Sequence, residues 1–80
     1  MSGIVGRPVK VEVRFKIRTA QGWKYRTRTV KTAIITDQQG FIWFKQTFDG
    51  AMNVIVKNVL PTLPEKVLGY APIWYRAVDF

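Results

Sequence analysis

The chain has 80 residues, 48% hydrophobic and 14% aromatic, and a net charge of +8. This length holds one domain, and the apolar content argues against disorder. Cysteine and histidine are both absent, which excludes disulfides, thiolate metal sites, a cysteine nucleophile and the commonest general base.

A single domain is expected over residues 1–80, with 1–7 as a flexible lead-in. No basic flank followed by an apolar stretch appears in Met1 to Val9, so no signal peptide is read there. Residues 9 to 18 alternate cleanly, Val9, Val11, Val13, Phe15 and Ile17 against Lys10, Glu12, Arg14, Lys16 and Arg18. Period two with β-branched residues predicts a half-buried strand. Residues 23 to 35 read as a second strand, joined to the first by Ala20-Gln21-Gly22.

A three-residue loop with glycine last suits a type I turn with a G1 bulge, which needs a left-handed residue there. In that register Ile17 faces Tyr25 and Phe15 faces Thr27. On the other face Arg18 meets Lys24, Lys16 meets Arg26 and Arg14 meets Arg28. A two-residue Gln21-Gly22 loop would set Ile17 against Arg26 and Phe15 against Arg28, mixing apolar and charged residues on one face. The bulged register is the expectation, and it makes a ladder of like-charged pairs. Such pairs repel when directly opposite, so the ladder implies an external polyanion.

Farther on, "TDQQGF" (36 to 41) reads as a turn, with Asp37 early and Gly40 late. "FIWFKQTF" (41 to 48) then reads as a third strand, and Asp49-Gly50 as a hairpin turn into "AMNVIVKN" (51 to 58). Three prolines interrupt residues 59 to 72, where Thr62 to Glu65 has capping-box spacing and predicts one helical or 3₁₀ turn. "IWYRAVDF" (73 to 80) closes as a fifth strand. The expected fold is all-β: a small five-stranded antiparallel SH3-like barrel with a short helical turn before the last strand. An OB-fold would carry its helix between strands three and four. The longest uncharged run, Val67 to Tyr75, falls far short of the roughly 20 residues a membrane helix needs.

Charge is the strongest functional signal. Residues 7 to 31 hold nine basic side chains and one acid, Glu12, whereas the rest of the chain balances four of each sign. Such asymmetry favours nucleic acid or another anionic surface as partner. Arg14, Lys16 and Arg18, with Lys24, Arg26 and Arg28, are the candidate phosphate contacts, and Trp23 is the candidate ring at the basic surface. Six contacts would give a log–log salt slope of about −5 on duplex DNA. In size, charge and expected strand order the chain is similar in outline to the small basic SH3-like chromatin proteins of archaea. That resemblance implies duplex DNA binding through a sheet face.

No catalytic constellation, cofactor motif or metal-ligand spacing is found, so a non-enzymatic binder of nucleic acid is expected. Duplex DNA is favoured, with RNA and single strands as the other targets. The competing reading is a phage- or plasmid-type interaction module, an inhibitor or a virion or tail component, whose basic ribbon grips an acidic protein. No membrane partner is expected. A cytoplasmic or nucleoid location follows, or a virion. An exposed aromatic strand, Phe41 to Phe44, would serve a homodimer.

Overall fold

The structure is a computed structural model that describes residues 4–36, 39, 41–42 and 44–79. Asp37, Gly40, Trp43 and Phe80 lie outside that set. Four elements organise the chain: β1 (Ile4–Thr19), β2 (Gly22–Thr36), α1 (Phe44–Val54) and β3 (Gly69–Asp79). The strands form one open antiparallel sheet in the order β2-β1-β3. β2 and β3 therefore run parallel to each other on either side of β1. A hairpin cannot join parallel strands, so the chain must cross over a face of the sheet. It does so through α1.

β1 is the central strand, and its alternation reads as expected. Val9, Val11, Val13, Phe15 and Ile17 are all 2% exposed or less, on the face that α1 covers. The strand begins earlier than predicted. Ile4 and Val5 already pair with Thr36 and Ile35, so residues 4–7 are strand, and the register shifts between Val5 and Pro8.

Five strands and a closed barrel are not found among the described residues. The stretch read as strands three and four is helical over most of its length. Phe44, Thr47, Phe48, Ala51, Met52 and Ile55 recur at helical spacing, and Thr47, Ala51, Met52 and Ile55 are buried. Asp49-Gly50 is accordingly no turn. Asp49 accepts from Lys45 Nζ at 2.9 Å, one helical turn away, and this carboxylate raises the pKa of the lysine. Gly50 lets the helix approach β2 closely, since a Cβ there would stand 2.9 Å from Thr32 Oγ1. Thr47 Oγ1 accepts the Ile35 N–H at 3.0 Å, and Phe48 stacks on Tyr75 at 5.0 Å between ring centroids. Among the described residues of 41–44, the aromatic strand expected to pair two copies is not found. Phe44 opens the helix, and Ile42 makes only an isolated bridge with Thr36.

Beyond Val54 the helix widens into a π turn over Ile55–Val59 and tightens into a 3₁₀ turn over Leu60–Thr62. The helical turn expected to start at Thr62 does not form: residues 63–65 are a bend, and the 3₁₀ turn that is present ends at Thr62. Its hydroxyl donates to the Val59 carbonyl at 2.7 Å. Leu63 is extended (φ −72°, ψ 144°), as the residue before a proline tends to be. β3 then returns along β1 from Gly69, with register shifts between Lys10 and Val11 and between Arg14 and Phe15. Pro72 is tolerated because β3 is an edge strand. No helix among the described residues is long and apolar enough to cross a membrane.

Candidate nucleic-acid interface

The site begins with the hairpin loop. Gly22 has φ +104°, so the left-handed glycine is where the sequence put it. The register is not. Thr19 pairs with Gly22 and Arg18 with Trp23, leaving Ala20 and Gln21 as a two-residue loop. Thr19 holds it shut: Oγ1 donates to the Gly22 carbonyl at 3.0 Å and accepts the Gln21 N–H at 3.1 Å.

One residue of slip exchanges the faces of β2. Lys16 now pairs with Tyr25 and Arg14 with Thr27, while Ile17, Phe15 and Val13 pair with Lys24, Arg26 and Arg28. The ladder of like-charged pairs does not form. Its repulsion is avoided at Arg14, Lys16 and Arg18, which stand against a hydroxyl or a ring, and one like-charged pair remains farther along the strands, Lys10 with Lys31. Arg14 Nη1 donates to Thr27 Oγ1 at 3.0 Å. Lys16 Nζ lies 4.5 Å from the Trp23 ring centroid, and the Arg14 guanidinium lies 5.5 Å from that of Tyr25. Contacts of this kind contribute about 0.5–1 kcal/mol at exposed sites.

The sequence-derived residues therefore separate into two groups. Arg14, Lys16, Arg18 and Trp23 gather on the face turned away from α1. Lys24, Arg26 and Arg28 belong to the helix face. There Arg26 Nη2 pairs with Glu65 Oε2, and Lys24 Nζ stands 3.8 Å from the same oxygen. Arg28 Nη1 donates to the Thr27 carbonyl. Two of these three cations thus share an acidic partner inside the chain, and the third holds a backbone carbonyl.

On the open face β3 adds Trp74 beside Arg14, Ala71 beside Lys16 and Gly69 beside Arg18. A Cβ at Gly69 would touch the Arg18 side chain, with Nε at 3.6 Å, so glycine leaves that side chain room to lie across β3. Arg76 Nη2 and Nε donate to Glu12 Oε1 at 2.9 and 3.2 Å. That pair neutralises Glu12 and leaves the field of this face to Arg14, Lys16 and Arg18, with Lys10 and Lys31 at its far end. Trp23, Tyr25 and Trp74 are 49%, 52% and 40% exposed. Phe41, Phe44 and Tyr70 are similarly exposed, so what distinguishes Trp23, Tyr25 and Trp74 is that they alternate with cations on one face.

Tyr25 and Trp74 were not singled out from sequence, and the available signal was ambiguous. Val30 and Ile34 are in phase with Lys24, Arg26 and Arg28, whereas Ala33 and Ile35 are in phase with Trp23 and Tyr25. Either phase could face the core. Among the described residues no group of three or more His, Cys, Asp or Glu side chains gathers in a way that could hold a metal ion. No protein-family model matches the chain, and neither a curated protein nor a solved structure does.

Proposed function

We propose that this chain is a non-enzymatic nucleic-acid-binding module that takes single strands on the open face of its sheet. The observation that carries this reading is the set of half-exposed rings, Trp23, Tyr25 and Trp74, set among Arg14, Lys16 and Arg18. Exposed rings on a sheet stack unpaired bases, and neighbouring cations take the phosphates. Trp23 and Tyr25 are two residues apart on one strand, about 7 Å, the scale of one extended nucleotide step. Duplex DNA hides its base faces and would leave the rings without a role. A duplex-tracking ribbon would also need Lys24 and Arg26, which face the helix side and hold Glu65. The resemblance to the SH3-like chromatin proteins loses its footing with the barrel strand order on which it rested.

Three phosphate contacts imply a log–log salt slope of about −2 on a single strand. Titration of labelled 12-nucleotide DNA and RNA single strands and of a DNA duplex, each at two salt concentrations, tests the reading. Tryptophan fluorescence supplies an independent signal, because Trp23 and Trp74 should be quenched by stacked bases. Tighter binding to duplex with a slope near −5 would restore the phosphate-tracking mechanism. Failure to bind any nucleic acid would transfer the surface to an acidic protein partner.

A further inference from the structure

A second feature lies at the other side of β3. Below the start of that strand, Leu60, Leu63, Val67, Leu68, Tyr70 and Glu65 line an open cleft of about 460 Å³, within the usual size range of ligand pockets. The lining side chains are apolar apart from the Glu65 carboxylate and the Tyr70 hydroxyl, and polar atoms make up a substantial part of the walls. Glu65 is 12% exposed, and its Oε2 takes Arg26 and Lys24. Its Oε1 is buried and has no hydrogen-bond partner among the described residues. A buried acceptor without a donor is costly and rare in folded proteins. The terminal torsion of glutamate is soft, so a small turn of the carboxylate presents Oε1 to the cleft while the cations stay in place.

The chemistry of the missing donor is constrained. Two cations already stand against one carboxylate, so a third would be repelled, and a neutral N–H group on a flat apolar body fits best. Gly69 links this cleft to the open face, since it lines the cleft and also lies under Arg18. The cleft lies on the helix side, so a strand bound along Arg14, Lys16 and Arg18 must pass over Gly69 and around the edge of β3 to enter it.

We infer that the cleft seats one amino-bearing nucleobase of the bound strand, with Glu65 Oε1 accepting from the exocyclic amino group. This rests on the single-strand reading above and adds base preference to it. Carboxylates accept from the cytosine amino group, whereas the carbonyl that replaces it in uracil would face the carboxylate with like partial charge.

The oligonucleotides dC12 and dU12 isolate that one group. Wild type should bind dC12 about tenfold more tightly than dU12. In Glu65→Gln, whose side-chain amide can donate to the uracil carbonyl, the preference should fall below threefold or reverse. Leu68→Trp, at an exposed rim position, should fill the cleft and abolish the preference without altering the carboxylate, which covers the case in which Glu65→Gln does not fold. Equal binding of both oligonucleotides by wild type, or a preference that survives in the variants, overturns the inference and leaves the single-strand reading standing. Binding of neither overturns both.

Discussion

Phe15 and Lys16 are consecutive on β1, and the two faces of the sheet divide between them. Phe15 is fully buried under α1, together with Val13 and Ile17. Lys16 lies over the Trp23 ring on the face no helix covers. The covered face is a continuous apolar core, with cations admitted only toward the hairpin tip, where Glu65 receives Lys24 and Arg26. The open face mixes rings and cations and buries little. Stability should therefore reside mainly on the covered side, and stacking and phosphate contacts on the open one, with the Glu65 cleft at the boundary. That separation lets each be altered alone.

The largest contrast is between those two neighbours. Phe15→Ala should cost about 3–5 kcal/mol through lost transfer energy and a cavity, a large share of the roughly 4–12 kcal/mol expected for a chain this size. Lys16→Ala should cost less than about 1 kcal/mol, the loss of one exposed cation–ring contact. Urea denaturation of both variants reads the difference, and comparable losses would mean the open face also carries the fold.

Next come the rings. Removing Trp23 and Tyr25 together by alanine should weaken single-strand binding at least roughly 30-fold, taking the low end of the energy per stacked base. The melting temperature should move little. Unchanged affinity would show that the rings are bystanders.

A pair of double variants then compares the cations of the two faces. Lys16→Gln with Arg18→Gln should weaken binding about tenfold and flatten the salt slope by roughly 1.4, with little change in stability. Lys24→Gln with Arg26→Gln should do the opposite. Glu65 loses its cations, stability falls by about 1–2 kcal/mol, and affinity changes less than about threefold. If both variants weaken binding equally, the basic side chains act through their summed field and the division between faces is not functional.

The smallest expected effect is at the loop. Gly22→Ala meets nothing within 4 Å, so its cost is conformational, the price of φ +104° for a residue with a Cβ. About 1 kcal/mol of lost stability is expected by denaturation. No loss would mean the hairpin tip relaxes into another turn, and with it the register that sorts the two faces.

The β1 alternation, the hairpin, the left-handed Gly22 and the last strand could all be read from local pattern. Each depends on residues a few positions apart, where period, turn chemistry and proline act without distant partners. Residues 41 to 58 could not be read so easily. β-branched and aromatic side chains flank an Asp-Gly there, and these imitate a hairpin. Only the parallel placement of β2 and β3 around β1 demands a crossover helix, and only the bare core face of β1 gives that helix something to cover.

The candidate site divides in the same way. Sequence alone determined that cations cluster in one third of the chain and that Arg14, Lys16 and Arg18 share a face. Which residues of β2 and β3 join them was decided by tertiary structure. β2 offers two near-equivalent phases, and a step of one residue exchanges Lys24, Arg26 and Arg28 for Trp23, Tyr25 and Thr27. Helix packing on Val30 and Ile34, the tight Thr19 loop and the acid at Glu65 all select the same phase. Only the loop is local to the alternation they decide; the helix and the acid are not, and Glu65 lies 39 residues from Arg26.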